Sequence, residues 1–131
     1  MKNKLLITLS ILISMLSCQN NSMRYDSKTE SIVNNIGFRR LYFTNNDNME
    51  TYFVKKKTGV GKITELRLKK LDTNLIICKR LGGTGQHLAQ IPFDANSNWT
   101  VSNVTNGDAA EFSIDFYIDE NGVFIQKVDP Y

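Results

Sequence analysis

Few residues in this chain of 131 have side chains that do nucleophilic, acid–base or metal chemistry in combination. The one histidine is His87, and the two cysteines are Cys18 and Cys78. A Ser/His/Asp or Cys/His centre would have to pass through His87, because the imidazole is the base such sites use. No nucleophile elbow surrounds His87, and Cys78 falls in a different candidate strand. Its run, Leu75-Ile76-Ile77-Cys78, reads as that of a buried, inert thiol. Carboxylates gather late in the chain at Glu111, Asp115, Asp119 and Glu120. Most of them alternate with apolar residues, which is the pattern of a solvated strand face. One histidine and two cysteines set far apart, at 18 and 78, do not complete a zinc centre of the usual type. Asp119-Glu120-Asn121-Gly122 lacks the spacing and distal glutamate of a calcium loop. Gly82-Gly83-Thr84-Gly85 and Thr58-Gly59-Val60-Gly61-Lys62 lack the Lys-Ser/Thr ending of a phosphate loop. The expectation is a protein that is not an enzyme and has no metal or cofactor.

The N-terminus carries an address instead. Lys2 and Lys4 precede an uncharged apolar stretch over 5–17, then Cys18 and a polar run, Gln19-Asn20-Asn21-Ser22. The apolar stretch is shorter than the roughly 20 residues a membrane-spanning helix needs, and the layout is that of a secretory signal. The junction resembles a bacterial lipoprotein signal. Ser17 is the small residue before the cysteine. Met15 stands where leucine is usual, and Leu16 departs from the small residue usual at its position. The resemblance covers residues 1–18. It implies that 1–17 are removed, that Cys18 carries lipid, and that the lipid attaches the protein to a membrane. Gln19, rather than aspartate, after the cysteine implies the outer membrane of the cell envelope. With Cys18 lipidated, Cys78 is left as the one thiol, so no internal disulfide forms.

Three segments follow from this: a signal peptide over 1–17, a lipid-bearing tether over 18–26, and one domain over 27–131. Ser27-Lys28-Thr29-Glu30 has the form of a capping box. Ile32, Val33 and Ile36 would share a helical face, and Gly37 suits a left-handed cap. A short N-terminal helix over about 28–36 is expected. From Phe38 the period becomes two, with candidate strands at 38–43, 51–57, 62–70, 74–80, 86–91, 99–104, 111–119 and 122–128. In the clearest, Phe112, Ile114, Phe116 and Ile118 fall on one face and Ser113, Asp115, Tyr117 and Asp119 on the other. Glu120-Asn121-Gly122 marks a hairpin turn. The connections leave no room for crossover helices, so pairing should be antiparallel. The expected fold is mainly β: a small antiparallel sheet, curled or closed into a barrel, with the helix against it.

Charge is unevenly spread. Residues 24–80 hold thirteen basic and six acidic side chains, whereas 81–131 hold Lys127 against seven acids. Either the two segments interleave and pair, or the molecule is bipolar, which steers partners. Without Lys2 and Lys4 the net charge is near +1, which speaks against a nucleic-acid partner. The expected function is a non-catalytic module that binds a protein partner, as an inhibitor or toxin-immunity protein does. The candidate surface is Asp115, Tyr117 and Asp119, with the Gly82-Gly83-Thr84-Gly85 tip as the alternative. Lipoprotein inhibitors of c-type lysozyme offer an analogy in size and class, although their cysteine pair and Ser-Gly-Ser-Gly signature are absent here. An accessory subunit of an envelope assembly and a small envelope hydrolase are the other classes.

Overall fold

A computed structural model describes residues 23–81, 84–103 and 112–128. The described chain forms ten strands and no helix: β1 (Arg24–Asp26), β2 (Ser31–Val33), β3 (Arg40–Asn45), β4 (Thr51–Lys56), β5 (Glu65–Arg67), β6 (Leu75–Leu81), β7 (Thr84–Leu88), β8 (Ser97–Asn103), β9 (Ser113–Ile118) and β10 (Phe124–Gln126). They make a seven-stranded sheet of order β10-β9-β8-β3-β4-β6-β7 and a three-stranded sheet of order β1-β2-β5. Every described pairing is antiparallel.

The large sheet does not close into a barrel. It ends at β10 on one side and β7 on the other. The expected helix over 28–36 is also replaced, by the β1–β2 hairpin turn and β2 itself. A helix that short is marginal in water, and β-branched Ile32 and Val33 suit a strand. Strand β2 gains a partner on each edge, Ile32 standing opposite Tyr25 on β1 and Leu66 on β5. Asp26 Oδ1 accepts from the Lys28 amide at 2.9 Å and starts the turn. Glu30, expected to cap a helix, adopts a left-handed φ of 49°. Strand β1 lies inside the span expected to be a tether.

Period-two alternation sorts the large sheet into two faces. The inner face carries Leu41, Phe43, Tyr52, Val54, Ile77, Trp99, Val101, Ile114, Phe116, Ile118 and Phe124, all buried. The β9 alternation is as expected, with Ile114, Phe116 and Ile118 in the core and Phe112 packed at its margin. The small sheet adds Ile32 and Leu66 to the same core. Glu30 ties the layers together: its carboxylate accepts from the Phe124 amide at 3.2 Å and pairs with Lys69 at 2.7 Å. Tyr25 adds a hydroxyl bond to the Phe124 carbonyl at 2.8 Å.

Strand β7 is an edge, whereas the next strand, β8, lies between β9 and β3. Residues 89–96 must therefore cross the sheet, and they do so over the inner face. Ile91 is buried there. Phe93 lies 4.8 Å from Trp99, 5.1 Å from Phe124, 5.8 Å from Phe43 and 6.2 Å from Phe116, centroid to centroid. Gln90 pins the start of the crossing by bonding both the amide and the carbonyl of Leu71, at 2.8 and 2.9 Å. Truncating Phe116, which is wholly buried in this cluster, should destabilise the domain by about 3–5 kcal/mol. Urea unfolding of Phe116→Ala against the parent measures it.

Candidate functional site

The outer face of the large sheet follows from the opposite parity. Strand β3 contributes Arg40, Tyr42 and Thr44, and β4 contributes Thr51, Phe53 and Lys55. Strand β6 contributes Ile76, Cys78 and Arg80, and β7 contributes Gly85 and His87. Register aligns them in rows: Tyr42 faces Phe53, Phe53 faces Cys78, and Cys78 faces His87. The Tyr42 and Phe53 rings lie 5.1 Å apart. Tyr42, Phe53 and Ile76 are half-buried and stand outside the core cluster. They form an aromatic and aliphatic patch on the side of the sheet away from the three-stranded layer.

Cations frame this patch. Arg40, Lys55 and Arg80 are exposed, and none has an ion-pair partner among the described residues. Arg40 lies 6.0 Å from the Phe53 ring centre, where the ring quadrupole attracts it. Arg40 and Lys55 are direct cross-strand neighbours. Like charges placed so oppose pairing.

The three described ion pairs, Arg67–Glu65, Lys69–Glu30 and Lys79–Glu50, all join residues within 24–80. Neither they nor the strand order supports the reading in which the basic and acidic segments interleave and pair. Strands β8, β9 and β10 sit together at one end of the large sheet, while β3, β4 and β6, with β7 at their edge, lie towards the other and hold Arg40, Lys55, Lys56, Lys79 and Arg80. Arg67 and Lys69 lie in or beside β5 and pair with Glu65 and Glu30.

The acids proposed from sequence have local partners. Asp115 is exposed and accepts from the Thr100 hydroxyl on β8. The Tyr117 hydroxyl donates to Asn96 Oδ1 at 3.0 Å. Asp119 Oδ1 accepts from the amides of Asn121 and Val123, each at 2.8 Å, and so builds the β9–β10 turn. Gly122 completes that turn with a φ of 77°. Gly82 and Gly83 lie outside the described residues, as does Cys18. Thr84 begins β7, and Gly85 is exposed on the outer face opposite Arg80.

Strand pairing also joins two residues that sequence reading kept apart. Cys78 Sγ lies 3.5 Å from His87 Nδ1, across β6 and β7. Cys78 is half-buried rather than in the core, and His87 is exposed. Among the described residues no third group orients the other ring nitrogen, as a nucleophile–base centre requires. The described residues also hold no cluster of three or more groups able to take a metal. A cleft of about 210 Å³ opens between the layers, with Phe93, Ile118 and Phe124 among its walls and Lys69 at its polar edge. That ammonium is already paired with Glu30.

At the inner edge of the basic half, Lys79 pairs with Glu50, and the Tyr52 hydroxyl donates to Glu50 at 2.9 Å. The Lys79 and Tyr52 hydrogen bonds hold the Glu50 carboxyl below its ordinary 4.5. Burial first, and Glu50 second, push the Tyr52 phenol up to about 12. Comparison with known protein families, with characterised proteins and with solved structures finds no match to this chain.

Two measurements follow from this geometry. A carboxyl whose folded value is depressed supports the fold above its unfolded value and ceases to do so as pH falls through the folded one. Glu50→Gln should therefore flatten the fall in stability below about pH 4.5, read by urea midpoints between pH 3 and 6. Lys55→Glu should place an anion opposite Arg40 and raise stability, by up to about 1 kcal/mol, in the same assay at pH 7.

Proposed function

We propose that this chain is a cell-envelope lipoprotein whose β domain is a non-catalytic module that binds a protein partner, of the inhibitor or toxin-immunity kind. Residues 1–17 are its signal, and Cys18 carries the lipid that holds it on the outer membrane. One observation carries the binding role. The outer face displays an aromatic patch, apart from the core, beside a like-charged cross-strand pair, Arg40 and Lys55. Such a pair costs the isolated sheet stability, which makes sense where a partner supplies the missing anions. Aromatic and arginine side chains are also the residue types enriched at interface centres.

The address and the binding role are tested separately. Intact-mass analysis of the native protein should show loss of 1–17 and a lipid mass on Cys18. An unmodified Cys18 or a retained Met1 would remove the lipoprotein reading. A photo-cross-linking residue at Phe53, on the outer face, should trap one discrete envelope protein in cells. The same residue at Arg67, on the small sheet, should not. Equal trapping at both positions, or at neither, would remove the binding-module reading.

A further inference from the structure

The proposed binding role leaves open which surface meets the partner and what chemistry the partner offers, and charge decides both. The acidic end of the large sheet is poorly suited. Asp119 is committed to its turn, Tyr117 to Asn96, and Asp115 to Thr100. The basic end has no such commitments, since Arg40, Lys55 and Arg80 have no anion among the described residues. They surround apolar surface that the core does not use. A surface of this kind is complementary to carboxylates around an apolar centre.

Two other occupants would suit a basic and aromatic surface: an anionic membrane and a nucleic acid. Chain geometry counts against the membrane, given a lipid on Cys18. Five residue steps separate Cys18 from Met23, a reach of about 17 Å fully extended, and Met23 is already buried in the domain. The chain then enters β1, in the layer on the far side of the large sheet from the outer face. A lipid attached that close to β1 would bring the three-stranded layer nearer the membrane than the outer face. Counting against nucleic acid, the net charge of the mature chain is small.

We propose that the outer face of β3, β4, β6 and β7 docks an acidic protein surface, with carboxylates meeting Arg40, Lys55 and Arg80 and apolar side chains covering Tyr42, Phe53 and Ile76. This rests on the binding-module reading above and adds the location and the partner's charge. Cys78, in the middle of the patch beside Phe53 and His87, reports on its occupancy. The full lipidated protein is held in neutral phosphatidylcholine vesicles, and the rate of Cys78 alkylation by N-ethylmaleimide is followed by mass. Poly-L-glutamate serves as the acidic polypeptide probe.

The expected result is alkylation slowed at least threefold at low salt, with the effect removed by about 0.5 M salt, where charges beyond a few Å are screened. It should also be lost in the Arg40→Gln, Lys55→Gln, Arg80→Gln variant, whose fold is checked by circular dichroism. A Thr51→Cys, Cys78→Ser variant gives a second reporter on the same face should the native thiol react too slowly. No slowing with either reporter overturns the proposal. Equal or greater slowing by phosphatidylglycerol vesicles would make the face a membrane surface. Greater slowing by a single-stranded oligonucleotide of matched charge would make it a nucleic-acid surface. A protein trapped at Phe53 without any poly-L-glutamate effect removes the acidic partner and leaves the binding-module reading intact. Poly-L-glutamate protection without a trapped protein removes both.

Discussion

The fold depends on the contact between Phe93 and the aromatic residues of the inner face. The chain leaves the large sheet at its edge strand β7 and must re-enter between β3 and β9. That crossing exposes backbone to the interior and is sustainable only if the crossing segment buries enough apolar area in return. Phe93 meets that demand through edge-on contacts with Phe43, Trp99, Phe116 and Phe124, which come from β3, β8, β9 and β10. One side chain thereby touches four strands, three that follow it in the chain and one, β3, some fifty residues earlier. Together with Ile32 and Leu66 of the small sheet it covers most of the inner face.

The two faces differ in kind. Burial of Trp99, Phe43 and Phe116 specifies the inner one, and polar groups there are satisfied internally, as in the Trp99 indole bond to Ser97 Oγ at 2.8 Å. No buried side-chain nitrogen or oxygen among the described residues lacks a partner. The outer face instead gathers unpaired cations at one end and committed polar groups at the other. In small β domains stability and recognition compete for the same residues. Under the proposed binding role they would fall on opposite sides of one sheet, which relaxes that competition.

Much of this was legible from alternation alone. Each of the eight candidate strands beyond Phe38 overlaps one of β3 to β10, because period two survives whatever the tertiary arrangement. The β9–β10 turn was legible too, and Asp119 accepts the amide of Asn121 there, the local bond for which this residue type is favoured in turns; the like bond from Ile36 to Asn34 falls inside the span expected to be helical. Strand β2 was not legible. Ser27 and Glu30 match a helix cap, and only pairing with β5, some 34 residues later, overrides that preference. The outer patch escaped for a related reason. Alternation says that Tyr42 and Arg40 share a face, and that Phe53 and Lys55 share one. Whether that face is covered, and that Arg40 stands beside Lys55, depend on strand order and register. The Cys78–His87 contact is likewise a product of register.

The N-terminal hairpin has a mechanical consequence. Strand β1 is the outermost strand of the small sheet and holds β2 over three residue pairs, beginning with Arg24 opposite Val33. A pull on the N-terminus therefore loads the open end of that hairpin first, bond by bond, before it can strip the longer ladders among β3, β4, β6, β8 and β9. The next element to yield is the Tyr25 bond to Phe124. The Glu30 clamp lies beyond the hairpin turn and still holds β10. Tension arriving from that end would peel one strand and meet the Glu30 carboxylate before it reached the large sheet.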